Sequence, residues 1–136
     1  MLNPRKIIEK MITNDAYSNW LGIEILNIKK GYCKLQMKVS KKMTNGFLIA
    51  HGGICYSLAD SALAFASNSN GKKALSIETT ISYTKKVMIN DVLTAETKEL
   101  DLNNKKGLYS ISISNQDSEK VASFKGTVYI SDKTWN

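Results

Sequence analysis

The chain's one histidine, His51, is followed directly by Gly52 and Gly53, and then by an apolar run that carries a lone acid, Asp60. Ile54, Leu58, Ala62, Phe65 and Ala66 recur at helical spacing, as do Ala59, Leu63 and Ala66. A helix apolar on nearly every side is a buried helix. A carboxylate inside such a helix is expensive unless it is paired or used. Gly52 and Gly53 fall where the helix would begin. Its first-turn N–H groups have no partner within the helix, and no side chain shields them from a developing negative charge. The stretch thus holds an anion hole, a carboxylate, and a polar loop with Asn45 and His51. Those are the parts of a hydrolytic site.

Gly52 and Asp60 are eight residues apart, so along one helix they lie roughly 12 Å from each other. They cannot both touch one reacting carbonyl. If the helix pairs antiparallel with a second copy of itself, Asp60 of one chain can face the glycines of the other. The expectation is therefore a symmetric dimer with two equivalent composite sites.

The other residues limit the alternatives. A chain of 136 residues is one domain, long enough for a real core. No apolar run reaches membrane-spanning length. The charged amphipathic start, Met1 to Lys6, does not read as a signal peptide, so a soluble cytoplasmic protein is expected. Cys33 and Cys55 stand alone in apolar stretches without metal-ligand spacing. They read as small buried residues, and one histidine makes a zinc site improbable. The net charge of +7 raises nucleic acid, an anionic membrane or a phosphate-bearing small molecule as partners. The lysines come as scattered pairs: Lys29-Lys30, Lys41-Lys42, Lys72-Lys73, Lys85-Lys86 and Lys105-Lys106. Such pairs are mainly solvated surface, with a few left to grip phosphates.

Along the chain, Asn3-Pro4 starts a helix that runs to about Thr13. Asp15 caps a short turn through Trp20, which Gly22 ends. From Ile23 the period changes to two. Cys33, Leu35, Met37 and Val39 face one way, and Lys34, Gln36 and Lys38 the other. Lys41 to Ala50 is a loop, and Asn68 to Gly71 closes the buried helix. Leu75, Ile77, Thr79, Ile81 and Tyr83 alternate with Ser76, Glu78, Thr80 and Ser82. Val92 to Leu102 alternates less cleanly. Tyr109, Ile111 and Ile113 mark the next strand, and Ala122, Phe124, Gly126, Val128 and Ile130 the last. The expected order is helix, two strands, a long buried helix and four strands. This is an α+β domain whose antiparallel sheet curls round one helix.

The pattern Asn-x5-His-Gly-Gly-x6-Asp, read here as Asn45, His51, Gly52, Gly53 and Asp60, resembles the hotdog-fold thioesterases. It is most similar to their PaaI-like, phenylacetic-acid-degradation branch. Asn19 to Ile25 looks like that family's lead-in to its first strand, and Ser76 to Tyr83 like its post-helix strand. The resemblance implies a curled sheet around a central helix and a double-hotdog dimer, often paired into a tetramer. It implies hydrolysis of an acyl-coenzyme A thioester without a cofactor. Asp60 would be nucleophile or general base. The Gly53 N–H, helped by Gly52, would polarise the carbonyl from the facing subunit. Asn45 and His51 would orient the substrate, and Ser76 would stand near the attacking water. The loop Gly46 to Ile49 is greasier than the family pattern, and Tyr83 to Val87 lacks the proline often found there. Lys85 and Lys86 become candidates for the coenzyme A phosphates.

Two other functions fit the same fold. A hotdog hydratase or dehydratase acting on acyl thioesters needs an acid–base pair placed for a carbon–carbon double bond. A histidine ahead of the glycines with the acid in mid-helix favours hydrolysis over that. A non-catalytic acyl-coenzyme A binding module gains nothing from a buried charge at Asp60.

Overall fold

The computed structural model describes residues 2–136. Asn3 opens α1 (Pro4–Asn14): its side-chain oxygen accepts the Lys6 N–H at 2.9 Å, and Pro4 occupies a position that needs no N–H. Ile7 and Ile8 bury the inner face of this helix. Asp15 ends α1 and caps α2 (Ala16–Trp20) by accepting the Ser18 N–H. The strands β1 (Glu24–Lys29) and β2 (Tyr32–Lys38) form a hairpin. A short 3-10 turn, Lys41–Met43, and a loop lead into α3 (Gly52–Asn68). Then come β3 (Lys72–Tyr83), β4 (Val92–Leu102), β5 (Lys106–Ser114) and β6 (Lys120–Thr134).

The six strands make one antiparallel sheet in the order β1-β2-β4-β5-β6-β3. Strands β2 to β6 all touch α3. The sheet therefore wraps the helix, as the patterning predicts and as the resemblance to the hotdog family implies. Leu58, Ala59, Ala62, Leu63, Phe65 and Ala66 are fully buried beneath it. Each large side chain among them contributes about 1.5–3 kcal/mol by leaving water. Cys33 and Cys55 are buried free thiols within the same core.

The end of α3 is fixed by Asn68, a buried amide. Its Oδ1 accepts the Ala74 N–H at 3.0 Å and the Trp135 indole N–H at 2.9 Å, while its Nδ2 donates to the carbonyls of Ala64 and Ala74. Helix exit, β3 start and chain end thus share one side chain.

One alternation departs from expectation. Leu75 and Ile77 do not face the core; they are 76% and 56% exposed. The register of β3 on β6 slips between Ser76 and Glu78, so Ile77 is a bulged residue. A bulge adds a residue to one strand and reverses the facing of the residues beyond it. β3 is also an edge strand, and among the described residues its only strand partner is β6.

Depth of the helix in the sheet is set at one close approach. A Cβ placed on Gly126 of β6 would come 2.6 Å from Cδ2 of the buried Leu63. Gly126→Ala is expected to cost about 1–3 kcal/mol as an overpacking change. Urea denaturation would show it as a lower midpoint with an unchanged slope.

Candidate active site

The amide end of α3 is built locally. His51 is the N-cap, and its Nδ1 accepts the Gly53 N–H at 2.9 Å. The Ile54 N–H donates to the His51 carbonyl at 2.9 Å. Among the described residues no group accepts from the Gly52 N–H. An accepting Nδ1 belongs to a neutral imidazole with its proton on Nε2, so the outward edge of His51 is a donor. Of the two amides expected to form an anion hole, Gly52's is open and Gly53's is engaged by the cap.

Small residues fit here with little room to spare. Tyr83, at the end of β3, donates its hydroxyl to the Gly52 carbonyl at 2.8 Å. A Cβ on Gly52 would stand 3.2 Å from that oxygen, and one on Gly53 would stand 3.1 Å from His51 Nδ1. Tyr83 is a site residue the sequence did not reveal. It ends an alternating strand and looks like any core aromatic.

His51, Gly52 and Tyr83 line a cleft of about 410 Å3 with Asn45, Lys85 and Lys86. Asn45 organises the loop, because its Oδ1 accepts the N–H of Phe47 at 2.9 Å and its backbone exchanges bonds with Leu48 and Ile49. Its amide nitrogen is left for other partners. The loop tip points Phe47 and Leu48 into solvent, with Leu48 at a φ of 63°. Lys85 is paired with Glu119 at 2.5 Å, and the pairing holds the Glu119 carboxyl below its ordinary range. Lys86 has no acidic partner among the described residues. Cys55 also reaches the cleft, but burial pushes its thiol up to about 11, so it is not a poised nucleophile.

Asp60 and Ser76 are not in this cleft. Asp60 lies two turns along α3 on the helix's one partly open stripe, and it is half-buried. Among the described residues its carboxylate has no ion-pair or hydrogen-bond partner. Burial, and then the negative charge of Asp15, hold its proton affinity above that of an ordinary aspartate. Ser76 is exposed on the edge strand β3. The structure therefore gathers Asn45, His51, Gly52, Gly53, Lys85 and Lys86 at one end of α3 and leaves Asp60 and Ser76 apart from them.

A six-stranded antiparallel sheet curled round one buried helix is the hotdog fold. The model of the thioesterase superfamily matches residues 47–122, and the chain belongs to that family. It is 43% identical over 124 residues to a putative esterase of Archaeoglobus fulgidus, covering 91% of this chain and 80% of that one. It is 38% identical over 116 residues to the acyl-coenzyme A thioesterase PaaI of Escherichia coli, covering 85% and 83%. The solved structure of the E. coli PaaI protein from the phenylacetic acid degradation operon superposes with a TM-score of 0.94 at 34% identity, over 96% of this chain and 95% of that one.

A raised proton affinity has a sign in stability. The folded chain holds the Asp60 proton to higher pH than the unfolded chain does. Its contribution is neutral below the unfolded value and becomes a cost as pH rises toward the folded value. Asp60→Asn is expected to raise the melting temperature by a few degrees at neutral pH, with the gain vanishing in acid below the ordinary aspartate range. His51→Ala removes the cap and is expected to cost about 0.5–2 kcal/mol. Calorimetry across pH would check both.

Proposed function

We propose that this chain is an acyl-coenzyme A thioesterase whose site is completed by a second copy of itself. The observation that carries the reading is the unpaired, half-buried Asp60 in the middle of a helix whose N-terminal end presents the open Gly52 amide in a cleft. Hydrolysis needs a base or nucleophile for the carbonyl and a stabiliser for the oxyanion. Asp60 takes the proton of an attacking water, or itself attacks. The Gly52 and Gly53 amides of the facing chain receive the oxyanion. Asn45 and His51 orient the thioester, with Ser76 toward the water. The name of the E. coli relative, acyl-coenzyme A thioesterase, supports the substrate class.

Two features support the dimer. Asp60 and Gly52 are too far apart along α3 to serve one carbonyl. The edge strand β3 is long, carries exposed Leu75 and Ile77, and has one unpaired side. Such an edge is a template for pairing with another chain. A pairing of dimers into a tetramer is not needed for the chemistry. Free buried thiols suit a reducing, cytoplasmic setting. Lys86, and Lys85 by exchanging Glu119 for phosphate, would hold the charged end of coenzyme A.

Thiol release from a panel of acyl-coenzyme A esters tests the activity. Asp60→Ala is expected to lose roughly 10²–10⁴-fold in kcat. Release from no ester by the wild type would overturn the reading. Mixed dimers test the shared site: Asp60→Ala and Gly53→Val chains, each inactive alone, should regain activity when co-expressed, because one of two sites is then intact. No recovery in a proven mixed dimer would place acid and amides in the same chain. Lys86→Ala should raise KM roughly 2–5-fold with kcat unchanged, the effect of one exposed charge.

A further inference from the structure

The Gly52 carbonyl and the Gly53 N–H are the two ends of one peptide group. A trans peptide points them in opposite directions, and resonance couples them. Side chains hold both ends. Tyr83, at the end of β3, donates its hydroxyl to the carbonyl at 2.8 Å, and His51 Nδ1 accepts the N–H at 2.9 Å. A carbonyl oxygen has two lone pairs, so it can receive Tyr83 beside its helical bond. Tyr83 and Gly52 are 31 residues apart in sequence, so this is a tertiary contact and not a helix cap. Burial, and then Cys55 and Tyr56, push the Tyr83 phenol up from its ordinary value, so it is a donor at neutral pH. The preceding peptide, between His51 and Gly52, is held differently. Its carbonyl accepts the Ile54 N–H at 2.9 Å, and among the described residues no side chain donates to it.

We infer that Tyr83 is a positioning residue for the reaction: its hydroxyl fixes the plane of the Gly52–Gly53 peptide and, by polarising the carbonyl, makes the Gly53 N–H a stronger donor to the oxyanion. This inference rests on the reading of that amide as the oxyanion stabiliser. A donor at the oxygen of a peptide draws electron density from its nitrogen, and hydrogen bonds in series strengthen one another. The gain is larger toward a charged acceptor than toward an imidazole nitrogen or a thioester carbonyl. It therefore acts on the transition state more than on binding. An oxyanion donor also has to be aimed before the charge develops. A first-turn peptide tied to a strand by Tyr83 is aimed by the sheet as well as by its own helix. The fit at Gly52 has the same origin. A Cβ there would stand 3.2 Å from the Tyr83 oxygen, so a larger residue would press on this bond.

The test is Tyr83→Phe, which removes the hydroxyl and keeps the ring. Its kcat and KM are measured with the acyl-coenzyme A ester that the wild type turns over fastest. Loss of one neutral hydrogen bond behind the donor should lower kcat roughly 3–10-fold, against roughly 10²–10³-fold for loss of an oxyanion donor itself. KM should stay within about twofold, because the ground-state carbonyl gains little from the polarised amide. NMR of the free protein gives a readout independent of turnover. In Tyr83→Phe the backbone nitrogen and proton resonances of Gly53 should move upfield, while those of Gly52, which belong to the preceding peptide, stay in place. An unchanged kcat in Tyr83→Phe, beside a slow Asp60→Ala, overturns the role of Tyr83 and leaves the reading of the site standing. A raised KM with kcat unchanged makes Tyr83 a wall of the cleft and overturns that role as well, as does a Gly53 amide whose resonances do not move. Thiol release from no ester by the wild type overturns the reading of the site, and the role of Tyr83 falls with it.

Discussion

The structure turns on a carboxylate that the fold declines to neutralise. α3 is the centre of the core, and five strands cover it. Its partly exposed stripe runs through Gly53, Ser57, Asp60 and Ala64. An acid on that stripe could have been paired, since the chain carries 19 lysines and arginines. Instead the neighbouring elements bring a second acid, Asp15, and hydroxyls that are bonded to each other. A group held this way lowers stability at neutral pH, and nothing in the packing requires it. Under the proposed reaction that group is the working base or nucleophile.

Helix geometry then sets how the reagents are shared. Amides are available only where a helix begins, because further along each is bonded within the helix. An acid shielded from solvent must sit further in. One helix cannot present both to one carbonyl, so under the proposed assembly the facing chain supplies the missing half. The unpaired side of β3 and its outward Leu75 and Ile77 are a means of holding that chain at a fixed register. Tyr83, at the end of that strand, touches Gly52. The edge where a partner would pair is thus bonded directly to the cleft.

Much of this is legible in the residues. Period-two alternation places Cys33 to Val39 and Tyr109 to Ile113 with the right face inward, because a half-exposed strand must show it. Asn3-Pro4, Asp15 and the His-Gly-Gly start give the helix boundaries, because caps are local chemistry. The facing of Leu75 and Ile77 is not legible. A bulge is set by pairing with β6, and alternation counted along one strand cannot register a slipped partner. The engagement of the Gly53 amide is also hidden. By its sequence His51 is a loop residue free to meet substrate, whereas its ring folds back onto the helix it precedes. Asp15 reads as a cap, which it is; that the same carboxylate bears on Asp60 depends on α2 lying along α3, a tertiary fact.

The His51 cap bears on how rate enhancement would arise. In the resting chain the Gly53 N–H is satisfied by a neutral imidazole nitrogen. A ground-state thioester carbonyl is also a neutral acceptor and offers little reason to displace it. An oxyanion does, because hydrogen bonds to a charged acceptor are roughly twice as strong. In the proposed reaction the Gly53 amide therefore engages fully only as negative charge develops. The Gly52 amide, with no acceptor of its own, would bind the ground-state carbonyl already and the oxyanion more strongly. An interaction made mainly in the transition state raises kcat, whereas one made equally in both states lowers KM. In the proposed reaction the two glycines, adjacent in sequence, would thus differ: Gly52 would serve both binding and rate, and Gly53 chiefly the stabilisation of the charged successor.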